Sequence, residues 1–155
     1  MLRKISFIVA LCVFASGCAQ NNSTISPEEI FSNPAKLGVL AAATDSLSTG
    51  LAIAAGAREA NPLVSTSAGG LISIFLIKSA GVYWIDKQPD NIRDFGLKFA
   101  SGFWGGASIN NLLIFAGMSN PVSIVGGVVG GILLYNHEAS LLRKEKAEKA
   151  LIQNK

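Results

Sequence analysis

The sequence predicts an all-α fold integral to a membrane, with about four transmembrane helices arranged as two helical hairpins. Three observations point there. Half of the 155 residues are hydrophobic and 15% are charged, and the mean hydropathy of +0.43 is high for a water-soluble domain of this length. Sixteen glycines suit bilayer-spanning helices, where a missing side chain lets two backbones approach. Apolar runs of about 20 residues, the length of one crossing, alternate with short polar connections, two of which carry Asn-Pro.

Residues 1–17 have the layout of an export signal: Arg3 and Lys4 form a basic region, and residues 5–14 a short apolar stretch. The end, Ala15-Ser16-Gly17-Cys18, resembles the lipobox of bacterial lipoprotein precursors, with Ala15 where leucine is usual. That resemblance implies cleavage before Cys18 and lipidation of its thiol. An ordinary secretory signal or an uncleaved anchor shares the basic and apolar regions. Loss of Arg3 and Lys4 takes the 13 basic residues to 11 against 10 acidic ones, so the formal basicity implies no nucleic-acid partner. Cys12 leaves with the signal and Cys18 becomes a thioether, so neither a disulfide nor a thiolate metal site is expected.

Residues 18–36 read as a polar tether, with Ser26, Pro27, Glu28 and Glu29 suited to open one helical turn. Residues 37–136 form the membrane domain. Its segments 37–57, 63–85 and 99–118 contain 21, 23 and 20 residues, each enough to cross a bilayer. The fourth, 122–135, has 14; it either crosses with its flanks at the interfaces or is re-entrant. The connections 58–61 and 119–121 are tight and join antiparallel neighbours, whereas 86–98 reads as a longer charged loop. Tyr83, Trp84, Phe99, Phe103, Trp104 and Tyr135 gather toward that loop as an aromatic belt. Residues 137–155 form a charged helical tail with five basic residues and a weak apolar side from Leu141, Leu142, Ala150 and Leu151. His137, beside that tail, reads as solvated or interfacial. TGLAIAAG at 49–56 aligns with NNLLIFAG at 110–117, each followed by Asn-Pro, which suggests a duplicated helix–turn–helix.

A carboxylate inside lipid costs about 2.5 to 3.5 kcal/mol on insertion scales, so Asp45 must face protein or water. Counted from the 58–61 turn, Asp45 and Lys78 lie at roughly 22 and 27 Å along antiparallel helices at 1.5 Å per residue, and the lean of a helical side chain brings Lys78 toward Asp45. Thr49 lies one turn from Asp45, and Asn110 and Asn111 fall at a similar depth in the second hairpin. A cluster of Asp45, Thr49, Lys78, Asn110 and Asn111 serves either as a proton or ion pathway or as polar glue between helices, with Lys78 snorkelling alone in the latter case. Packing glycines form GxxxG pairs at Gly102 and Gly106, Gly126 and Gly130, and Gly127 and Gly131, beside a small-residue stripe of Ser46, Gly50 and Ala54. At the first turn Asn61 is suited to cap the next helix, Pro62 to open it, and Glu59 to bond exposed amides.

The pattern Asp45-x-x-x-Thr49, Glu59-x-Asn61-Pro62, Lys78 and WGGASINNL at 104–112 resembles a group of small uncharacterised bacterial membrane proteins, over about residues 40–135. The resemblance implies a four-helix integral membrane domain and supplies no reaction. There is no Ser/His pair, HExxH or phosphate-cradling glycine loop, so no enzyme, cofactor or metal is expected. The expectation is a non-enzymatic bacterial envelope lipoprotein, structural or a subunit of a membrane complex. Its partners would be the lipid bilayer and a second copy or another membrane protein. The alternative is a proton- or ion-coupled channel or transporter. Lipidation places the N-terminus on the periplasmic side of the inner membrane. Four crossings then leave Lys36, Lys87, Arg93, Lys98 and the tail outside, against the positive-inside rule.

Overall fold

The computed structural model describes residues 27–58 and 66–153. Cys18 and the turn residues Glu59, Asn61 and Pro62 lie outside them. The described chain is all helix: α1 (Pro27–Ser32), α2 (Pro34–Ala54), α3 (Ala68–Asp86), α4 (Asp90–Phe115) and α5 (Asn120–Gln153), with no strand among the described residues.

Local chemistry fixes most boundaries. Pro27 opens α1, with Glu28 and Glu29 in its first turn, where carboxylates meet the positive helix end. Pro34 opens α2 and the Asn33 side chain accepts from the Lys36 amide at 3.0 Å, a proline-and-cap start. This places the helix three residues ahead of the expected 37. Ser67 caps α3 by accepting from the Gly70 amide at 3.1 Å, so the described helix opens at Ala68; residues 63–65 of the expected segment lie outside the described residues.

The two halves of the sequence repeat end alike. Gly56 has φ +103° and Gly117 φ +87°, values that favour glycine. Around them Ala57 N donates to Ala52 O at 3.0 Å and Gly56 N to Ile53 O at 2.9 Å; Met118 N donates to Leu113 O and Gly117 N to Ile114 O, both at 2.9 Å. Both are left-handed helix stops of Schellman type, so the aligned glycines do the same job.

Two expectations are corrected. The charged loop 86–98 is mostly helix: only 87–89 link α3 to α4, because Pro89 sits extended at the cap and Asp90 suits the first turn. The apolar stretch 122–135 is not a separate short segment. It is the first half of α5, 34 residues or about 51 Å long, which runs unbroken through Asn136 into the charged tail.

α4 is the centre of the bundle, packed along α5 on one side and α2 on another, while α3 leans against α2 and α4. A compact apolar cluster of Val82, Leu97, Ala100 and Leu142 joins α3, α4 and α5 near the charged end, with Val39 of α2 and Trp104 against it. The α4–α5 contact is backbone on backbone. A Cβ added at Gly106 would meet the Gly127 carbonyl oxygen at 2.7 Å, one at Gly127 the Gly106 oxygen at 2.8 Å, and one at Gly131 the Gly102 oxygen at 2.7 Å. One at Gly102 would lie 3.0 Å from the Gly131 oxygen. Gly126 and Gly130 act differently, leaving room for the Leu113 and Ile109 side chains.

Polar groups are buried beside the apolar core, among them Asp45, Ser48, Ser101, Ser123 and Glu138, while large aliphatic side chains such as Leu76 (58%), Ile77 (66%), Val125 (63%) and Leu133 (64%) are exposed. Phe95, Phe99 and Phe103 stack outward along α4 with centroids 6.2 and 5.4 Å apart. α2 and α3 are long and apolar enough to cross a membrane, α2 about half buried in the bundle and α3 with little of its length buried.

Candidate functional site: a polar seam along α4

One face of α4 carries Arg93, Ser101, Trp104, Ser108 and Asn111, spaced so that successive residues lie one or two turns apart. Each of these except Ser108 touches a polar or charged group from another helix.

At the middle of the seam Lys78 Nζ on α3 donates to Asp45 Oδ2 on α2. Only 16% of the lysine side chain and 10% of the aspartate side chain are exposed, and Nζ lies 5.7 Å from the centroid of the half-buried Trp104 ring. The lysine therefore does not reach the interface alone; it is held between a carboxylate and the negative face of an indole. A turn further along, Asn111 Nδ2 donates to Thr49 Oγ1 at 2.9 Å and to Ser48 Oγ at 3.5 Å, tying α4 to α2. Ser48 Oγ in turn donates to the Asp45 carbonyl at 3.1 Å. Asn110 reaches Asn111 Oδ1 at 3.4 Å but stands on the α5 side of α4, its Cβ 2.9 Å from a Cβ built at Gly127. Asn110 thus belongs to the helix seam and Asn111 to the polar cluster.

The charged end closes the seam with a mixed-sign lattice. Arg93 Nε donates to Asp86 Oδ1 at 2.9 Å and Arg93 Nη2 to Glu145 Oε2 at 3.0 Å, so one guanidinium links α3, α4 and α5. Lys146 pairs with Asp94 at 2.6 Å and Lys149 with Glu145 at 2.6 Å. Burial lowers the Arg93 proton affinity, but Asp86 and Glu145 outweigh it and hold the pKa above its ordinary value. For Glu145 burial pushes upward, and Lys149 and Arg93 bring the carboxyl below its usual range. His137 is exposed, its Nε2 3.3 Å from the Phe31 carbonyl oxygen.

Sequence reasoning missed Glu138. It is fully buried (0% exposed) on α5, where Ser101 Oγ donates to its Oε2 at 3.0 Å. Its Oε1 has no hydrogen-bond partner among the described residues. Burial raises its pKa to about 7, against smaller opposing effects of the Ser101 hydrogen bond and the Arg93 charge. The signal was present in the spacing: Glu138, Leu141, Leu142 and Glu145 fall at i, i+3, i+4 and i+7, one helical face. Both leucines are buried, so the acid at the head of that face goes inside with them.

Among the described residues no group of three or more His, Cys, Asp or Glu is placed to hold a metal ion. No protein-family model, curated protein or solved structure matches the chain.

Proposed function

We propose that the chain is a small bacterial membrane lipoprotein, non-enzymatic, acting as a structural element or subunit of a membrane complex. In this reading α2 to α5 make four crossings of the inner membrane, and lipidated Cys18 stands on the periplasmic side. The observation that carries it is a wide outer surface of large aliphatic and aromatic side chains around a bundle that holds Asp45, Ser101 and Glu138 inside. Water would penalise such a surface by about 25 cal/mol per Å² of apolar area; hydrocarbon does not. Tyr83 and Tyr135, with Lys87 and Lys98 within 5.3 and 5.4 Å of their ring centroids, suit the headgroup level. An open apolar groove of about 470 Å³ along α4 and α5, walled by Phe99, Phe103, Val128 and Ile132, fits an acyl chain or a neighbouring helix.

Alkaline carbonate washing of membranes tests the setting, and the full-length chain is expected to stay in the pellet. Crosslinking in mild detergent tests the role. Recovery of nothing but monomer, with no captured neighbour, counts against a complex subunit.

A second reading is favoured by the Asp45–Lys78 pair and its continuation through Asn111 to Thr49: a proton- or ion-coupled conductor or transporter. Reconstituted vesicles are then expected to show flux that Asp45→Asn abolishes, and flux equal in the two proteins ends this reading.

A further inference from the structure

Two acids of this bundle are buried, and they are held differently. Asp45 has the Lys78 ammonium on it. Glu138 has a hydroxyl on one oxygen and no donor among the described residues on the other. An ionised carboxylate with one neutral donor in a fully buried site pays a desolvation cost of several kcal/mol, which protonation removes.

The groups facing Glu138 leave that site short of positive charge. From α4 come Ser101 and Arg93; from α5 comes Glu145, one further acid. Arg93 is occupied by Glu145 and by Asp86 of α3. α2 approaches with Gly38, whose added Cβ would lie 3.8 Å from Ser101 Oγ. His137, next to Glu138 in the chain, points outward to the Phe31 carbonyl.

We propose that Glu138 is a proton-binding site of the bundle, neutral while it is buried against Ser101 and exchanging its proton with water at the charged end beside Arg93. Uptake forms an O–H bond on Oε1 with a proton from hydronium, and release returns that proton to water. Release leaves a carboxylate that competes with Glu145 for Arg93, the cation that acts on both among the described residues. The same guanidinium holds α3 and α5 to α4, so proton loss at Glu138 loosens the charged end. The site rests on neither functional reading above: it requires no flux and no partner, only that Glu138 stay buried.

The test is infrared spectroscopy of the full-length protein in detergent micelles across pH 5 to 9, following the carbonyl stretch of a buried protonated carboxyl. One such band is expected to disappear as pH rises through about 7. It should be missing in Glu138→Gln at every pH and present in Asp45→Asn. Ser101→Ala removes the donor that favours the ionised form and should move the midpoint upward, which keeps the test alive should the glutamine variant not fold. A band retained by Glu138→Gln, or no band at pH 5 in the wild type, overturns the proposal. Absence of ion flux in vesicles would end the transporter reading and leave this titration unchanged.

Discussion

The α4–α5 hairpin and the α2–α3 pair are held by opposite means. Along α4 and α5, Gly102, Gly106, Gly127 and Gly131 bring backbone against backbone, so the contact is made by packing and depends on what is missing from four side chains. α3 has only Leu71 and Val82 buried and is fastened by Lys78 on Asp45, by Val82 in the small core, and by Arg93 on Asp86. The first contact is continuous backbone packing along the glycines, with Arg93–Glu145 and Lys146–Asp94 added at its charged end; the second is a few points, two of them charged. Backbone packing along the glycines resists sliding, whereas point contacts let a helix be released by one chemical change.

The difference can be broken from the α3 side first. Lys78→Ala leaves Asp45 buried without its ammonium partner and should cost about 3 to 5 kcal/mol, read as a lowered thermal midpoint in detergent. Replacing both partners, Asp45→Leu with Lys78→Met, should return most of that loss, since an apolar pair of similar volume removes the unpaired charge. Failure of the double variant to recover would show that the pair does more than offset its own desolvation.

The next effect concerns the charged end. Glu138 binds its proton more tightly in the folded state than its ordinary pKa of 4.5, up to about 7. Between those values the unfolded chain ionises while the folded chain does not, so stability falls as pH rises from about 4.5 to about 7 and is level above. The loss amounts to roughly 3 kcal/mol, and Glu138→Gln should remove this slope in denaturation curves taken at pH 5 and 8.

A smaller change is expected from the glycine seam. Gly106→Leu forces a side chain against the Gly127 backbone and should cost about 2 to 3 kcal/mol, with the α4–α5 spacing widened in spin-label distance measurements. Smallest is Asn111→Ala, which removes the bond to Thr49 and should cost about 0.6 kcal/mol, the average for interhelical side-chain hydrogen bonds between membrane helices.

Much of this arrangement was legible before any coordinates. Asp45, Thr49, Lys78 and Asn111 stood out because a polar side chain in a 20-residue apolar run needs a partner, and counting depth from the turn named it. Gly102, Gly106, Gly127 and Gly131 were readable from spacing alone, although spacing did not separate them from Gly126 and Gly130, whose role depends on which side chains face them. The segment 86–98 was misread because a dense run of charges looks like solvated loop. Arg93 pairs with Asp86 inside the segment, and Arg93 and Asp94 are matched across space by Glu145 and Lys146, a long-range pairing that one local window does not contain. Glu138 was hidden in the same way, inside a tail whose charge count masked the short apolar stripe behind it.

The length of α5 has a mechanical consequence. A helix of about 51 Å has no hinge at Asn136, so its first turns and its last share one rigid body. Whatever grips the basic stretch from Arg143 to Lys149, whether headgroups or another protein, applies leverage directly to the glycine contact at Gly127 and Gly131, about three to six turns away. A pull on the handle becomes a tilt at the fulcrum, with Arg93 and the buried acid beside it standing at the point where the lever leaves the bundle.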